Sequence, residues 1–139
     1  MQGVGKYTFL EHTADIKIRA EGKSLADAIE GALNGLASVI RGEDTREDGE
    51  ELEIDVNEEF LEDAVVMAME QLLVKCEVEK FSPSQVKVLE VEEQPYHINA
   101  IALGKRVDEV ETIVKAITYH QLKIEEKEGK YIIEVVLDI

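Results

Sequence analysis

The feature that most constrains the fold of this chain is a change of period at Pro83. Before it, two stretches repeat their apolar residues every three to four positions. After it, apolar residues recur at every second position almost to the end. A helix repeats its faces every 3.6 residues and a half-buried strand every 2, so the chain reads as two helices among short strands before Pro83 and as sheet alone after it.

In the first stretch Leu25, Ile29, Ala32, Leu33, Leu36, Val39 and Ile40 share one helical face. Ser24, with Asp27 three positions on, supplies an N-cap and a weak capping box. Gly31 and Gly35 interrupt this helix at a cost in propensity, which predicts a close approach to the sheet. In the second stretch Phe60, Leu61, Ala64, Val65, Ala68, Met69, Leu72, Leu73 and Cys76 make a wide apolar stripe. The acids Glu58, Glu59, Glu62 and Asp63 place its start at Asn57 or Glu58, where the helix dipole favours negative charge.

Alternation predicts strands at residues 7–10, 15–21, 52–56, 86–91, 96–102, 113–124 and 131–137. Residues 42–51 and 104–108 read as loops, residues 81–84 as a break, Gln94-Pro95 as a connector and Glu128-Gly129 as a hairpin turn. The prediction is an α+β fold in one domain spanning residues 1–139. Two main helices pack on one face of a mixed or antiparallel sheet, as a two-layer sandwich.

Charge narrows the partners. The chain has 31 acids against 15 Lys and Arg in 139 residues, a formal net charge of −16. Such a surface repels phosphate backbones and disfavours tight nucleic-acid binding by the protein alone. A cationic protein or a divalent metal is the natural electrostatic partner, although solubility accounts for most surface acids. A hydrophobic fraction of 45% argues against disorder. A lone cysteine, Cys76, suits a reducing compartment. With no membrane-length apolar run and no signal-peptide core, the expected location is the cytoplasm, with no membrane association.

Candidate chemistry is sparse. Cys76 lies on the apolar stripe and reads as a buried structural thiol. His12, His97 and His120 lack Cys or His partners at zinc spacing, and His97 reads as a hydrogen-bonded packing residue of a strand. Gly3-Val4-Gly5-Lys6 lacks the spacing of a phosphate-binding loop. No catalytic residue is expected. The carboxylates are harder to dismiss. Asp15 stands where a turn enters a strand, and Asp138 neighbours the α-carboxylate of Ile139. If the fold brings the chain ends together, these three form an oxygen-rich pocket for a hard divalent cation; otherwise they are solvated surface groups. The run Val114-Lys115-Ala116-Ile117-Thr118-Tyr119-His120 is also unusual strand filler.

At these residues the chain resembles the archease family. The likeness rests on Phe9-Leu10-Glu11-His12-Thr13-Ala14-Asp15-Ile16, on Lys115-Ala116-Ile117-Thr118-Tyr119-His120 and on Leu137-Asp138-Ile139, with helices and closing hairpin in matching order. The resemblance implies a non-catalytic accessory protein of tRNA splicing. Such a protein activates the RtcB-type tRNA-splicing ligase by promoting GMP attachment to the ligase's histidine and multiple turnover. It further implies a metal site of Asp15, Asp138 and Ile139, with Ca2+ the expected occupant and Mg2+ or Mn2+ the substitutes. Lys115 is then the important strand lysine, with His12 and His120 in supporting roles. The chain departs from the family pattern at Gln121, where many relatives carry glycine, and in residues 106–112, which hold no histidine. The rival readings are a small metal-dependent phosphoesterase acting through Asp15, Asp138 and His12, and a general chaperone-like interaction module.

Overall fold

A computed structural model describes residues 5–10, 15–42 and 49–139. The order of elements is β1 (Lys6–Leu10), β2 (Asp15–Gly22), α1 (Leu25–Arg41), β3 (Glu50–Glu58), α2 (Leu61–Glu79), β4 (Phe81–Glu92), β5 (Tyr96–Arg106), β6 (Ala116–Lys127) and β7 (Lys130–Asp138). The α+β architecture is as expected, with two helices and only antiparallel strand pairs among the described residues. The strands divide between two sheets, however: β1-β2-β7-β6, here sheet A, and β3-β5-β4, here sheet B. Each helix touches strands of both sheets.

Local signals explain most boundaries. Ser24 caps α1 by accepting a hydrogen bond from the Asp27 N–H at 3.0 Å. The glycines of α1 do bring it close to sheet A. A Cβ at Gly31 would stand 2.7 Å from the Lys6 carbonyl oxygen, and one at Gly35 would stand 3.0 Å from Ile18 Cγ2. Helix α2 starts at Leu61, later than its acids suggest, because the alternation of Leu52, Ile54 and Val56 carries β3 on to Glu58. Phe60 occupies the N-cap position of α2 and provides no side-chain hydrogen bond. The break expected at residues 81–84 is instead the start of β4, which absorbs Pro83 on an edge strand beside a register shift. At the closing hairpin Glu128 and Gly129 both take positive φ, 52° and 77°, as a two-residue turn of that kind requires.

The core is aliphatic and lies between helices and sheets. Ile18, Ile29, Leu33, Leu36, Ile54, Met69, Leu72, Ile98, Ile133 and Leu137 are fully enclosed, with Phe81 the largest side chain among them. Sheet B has two edge strands, and helix side chains cover both. On β4, Asn34 donates to the Val86 carbonyl at 2.9 Å and accepts from the Val86 N–H at 2.8 Å. Glu30 accepts from the Val88 N–H at 2.9 Å, and Arg41 donates to the Ser84 carbonyl at 3.0 Å. On β3, Gln71 accepts from the Asp55 N–H at 2.7 Å and donates to the Asp55 carbonyl at 3.3 Å, and Lys75 donates to the Glu53 carbonyl at 2.8 Å. Asn34 and Gln71 thus each satisfy both backbone groups of one strand residue, as a further strand would. Among the described residues no helix is long and apolar enough to cross a membrane.

Candidate metal centre

The register of sheet A decides which end residues meet. Strand β2 pairs with β7 so that Asp15 lies opposite Asp138 and Ile16 opposite Leu137. Strand β6 flanks β7 on its other side, with Ala116 opposite Asp138 and Ile117 opposite Leu137. Ile16, Leu137 and Ile117 therefore form one row facing the core, and Asp15, Asp138 and Ala116 the next row on the opposite face. Directly opposed residues hold their Cβ atoms roughly 4.5–5.5 Å apart, so two carboxylates share one small region at the open end of the sheet. Asp138 is exposed, and Asp15 and Ile139 are partly so. Small Ala116 leaves room beside them.

Lys115 is tied to the same place through its backbone. Its N–H donates to the Asp138 carbonyl at 2.7 Å, one residue ahead of β6, and its side chain is exposed. His120 is not brought to the pair. It falls between Thr118 and Lys123, where β6 leaves the ladder, and Gln121 within that bulge takes φ 58°. A residue in that left-handed region is most at ease as glycine, which gives the departure at Gln121 a physical meaning. His12 lies outside the described residues.

The face that carries the two aspartates continues into charged pairs. Buried Glu134 receives Lys17 at 3.3 Å and Arg19 at 3.0 Å, so the cation that follows Asp15 on that face is engaged with another carboxylate. An all-oxygen donor set at an exposed strand end fits a hard divalent cation. Asp15 and Asp138, with the Ile139 α-carboxylate if that residue is free, would hold it.

Two other residues resolve differently. Cys76 is fully buried, and desolvation aided by Glu77 and Glu79 pushes its thiol up to about 12, so it is inert at neutral pH. His97 is hydrogen-bonded within a strand, as expected, but it does not belong to the core. It sits on the outer face of sheet B, with Nε2 against Asp55 Oδ1 at 2.5 Å and Nδ1 3.5 Å from Glu92 Oε1. Glu90, Glu92 and His97 hold donor atoms that all lie within 4.8 Å of one another. Sequence spacing hid this group because its members come from two strands that only the fold pairs. The available signal was the alternation that puts Glu90 and Glu92 on one face of one strand.

A small acidic α+β protein with paired aspartates at one sheet end is the class these features define. The chain belongs to the archease family: the model of the Archease protein family (MTH1598/TM1083) matches residues 7–139. It is 38% identical to the protein archease of Pyrococcus abyssi over 141 residues, covering 96% of this chain and 99% of that one. It is 36% identical to that of Sulfurisphaera tokodaii over 140 residues, with the same two coverages. Among solved structures, protein 1598 of Methanobacterium thermoautotrophicum shares the fold with a TM-score of 0.77 at 22% identity, over 96% of this chain and 98% of that one. An archease of Thermotoga maritima, described as a possible chaperone, matches with a TM-score of 0.59 at 26% identity, over 94% of each chain.

Proposed function

We propose that this protein activates an RtcB-type tRNA-splicing ligase, using the Asp15–Asp138 end of sheet A as its working surface. The observation that carries the reading is the β2–β7 register, which sets two carboxylates from opposite ends of the chain side by side, with the Lys115 backbone bonded to one of them. Family membership supplies the context of an accessory protein.

GMP attachment needs attack by the ligase histidine on the nucleotide α-phosphorus while pyrophosphate leaves. A divalent ion held by Asp15 and Asp138 would supply charge stabilisation to that phosphate chemistry. The part of this chain is to present oxygen donors. Asp15 and Asp138 come from adjacent strands of a hydrogen-bonded sheet, so they are held in position before the ligase arrives. Lys115, whose backbone is bonded to Asp138 and whose side chain is exposed, would offer a cation to a nucleotide phosphate or an acidic group of the ligase. The net charge of −16 draws the protein toward a basic, RNA-binding ligase surface and away from free tRNA.

The test is GMP attachment to the cognate ligase under multiple turnover, with wild type, Asp15→Ala and Lys115→Ala. Acceleration by wild type and its loss in Asp15→Ala is the expected result; equal acceleration by both proteins overturns the role of the site. Where Ile139 ends the chain, an extension beyond it would convert its α-carboxylate into an amide and weaken activation. A fully active extended protein removes Ile139 from the donor set. A chaperone-like role, the description given to the Thermotoga maritima relative, is the second reading. It predicts suppression of aggregation in unrelated proteins that Asp15→Ala leaves intact.

A further inference from the structure

We propose that Glu90, Glu92 and His97 form a second, separate metal site on the outer face of sheet B, one that takes a first-row divalent transition ion of the Zn2+ kind. The proposal is independent of the chain-end site. It starts from ladder positions: Glu92 lies directly opposite His97, and Glu90 opposite Asn99, so both carboxylates flank the imidazole on one face. The register shift between Val88 and Glu90 brings the second carboxylate onto that face, a common use of an irregular strand beside a binding site.

The donor geometry suits an ion of this size. Ligand atoms about 2.0–2.2 Å from a tetrahedral or octahedral centre stand roughly 3–4.4 Å apart. The three donors here all lie within 4.8 Å, and both glutamates are exposed on flexible stems that can close the difference. The ring is already oriented. Asp55, from β3, holds Nε2 and leaves Nδ1 on the Glu92 side, the arrangement in which an outer carboxylate fixes a metal-bound imidazole. The site therefore spans all three strands of sheet B, with Asp55 on β3, His97 on β5 and the glutamates on β4.

The choice of ion follows from the donors. One imidazole nitrogen with two carboxylates favours Zn2+, Co2+, Ni2+ or Mn2+ over Ca2+, which prefers an all-oxygen shell. The two sites should thus sort metals, with hard ions at the end of sheet A and borderline ions on the face of sheet B. Because the ion displaces the proton on Nδ1, its affinity falls as pH is lowered.

The experiment is a calorimetric titration of Zn2+ into the full chain, near neutral pH and with excess Ca2+ present. It is paired with Co2+ absorption spectra and the ring 15N shifts of His97. The expected result is saturable uptake of one Zn2+, with a shift confined to the His97 ring. Uptake weakens at least about tenfold in His97→Gln and in Glu92→Gln, and by about tenfold in Asp55→Asn through loss of the outer carboxylate. Asp15→Asn and Glu51→Gln leave it unchanged, the latter removing an equal charge from β3 without removing a donor. Uptake retained in His97→Gln overturns the proposal, as does a loss in Glu51→Gln equal to that in His97→Gln, which would mean diffuse attraction to an acidic surface. All substituted side chains are at least partly exposed, and thermal melts without metal establish that each variant is folded.

Discussion

Asp15 and Asp138 stand opposite each other on neighbouring strands although nearly the whole chain separates them in sequence. An antiparallel ladder with one face buried fixes its register, because a one-residue slip would send Ile16 and Leu137 to the solvent side. The burial of an aliphatic row therefore enforces the meeting of two like charges. Core packing supplies the energy that places the acids.

The first consequence is measurable without any partner. Like charges directly opposite cost roughly 0.2–1 kcal/mol, so Asp138→Asn should raise the melting temperature slightly in the presence of a chelator. In saturating Ca2+ the order reverses, since an ion present at a hundred times its dissociation constant stabilises the wild type by about 2.7 kcal/mol. Paired melts in chelator and in Ca2+ check this. Equal Ca2+ responses in the two proteins would leave the pair without a cation-binding role.

His97 makes stability depend on pH. The hydrogen bond that its Nε2–H donates to Asp55 raises its pKa above the ordinary 6.5, desolvation opposes the rise, and the charges of Asp55 and Glu92 reinforce it. The folded protein thus binds the proton more tightly than the unfolded chain. The resulting stabilisation is complete below pH 6.5 and is lost as pH rises through the folded-state value. A His97→Gln variant should lose that slope while retaining the rest of the profile. Melts across this window, with the ring followed by NMR, decide it; superimposable profiles would sever the link to His97.

Gln121 holds a left-handed backbone angle of 58° inside the β6 irregularity. A side chain in that region costs about 1–2 kcal/mol, which glycine avoids while adding some entropy to the unfolded chain. Gln121→Gly should therefore stabilise by roughly 0.5–1 kcal/mol, read from the denaturation midpoint at unchanged slope. Destabilisation would show that the glutamine side chain contributes more than its backbone angle costs.

Asn34 meets both backbone groups of Val86. Asn34→Ala leaves a part-buried N–H and C=O to find water, at a cost of about 1–3 kcal/mol. Amide exchange at Val86 should accelerate with it. Unchanged exchange there would mean that β4 keeps its order without α1.

The legible parts of this molecule were local. Ser24 announced the α1 cap, Gly31 and Gly35 announced the close approach to sheet A, and Glu128-Gly129 announced the closing turn. What misled was local chemistry that suits two states. Glu58 and Glu59 resemble a helix start yet belong to the end of β3 and the turn after it, and Pro83 resembles a break yet fits an edge strand. Residues 113–115 alternate like a strand but precede β6. The division into two sheets was not legible, because a period of two says nothing of which strands pair. The same limit applies to the sites. Asp15 and Asp138 could be named as candidates but not joined, and His97 lacked visible partners because Asp55 and Glu92 reach it across neighbouring strands.

The side chains that α1 and α2 lay along the borders of sheet B make that sheet finite. A fourth strand, whether from a neighbouring molecule or from an extended peptide, would first have to displace the amides of Asn34 and Gln71. Growth into a fibril through these borders is therefore coupled to undocking of the helices. In a protein stored at high concentration, the rate at which sheet B seeds polymers should follow the rate at which the helices peel away, not the frequency of molecular collisions.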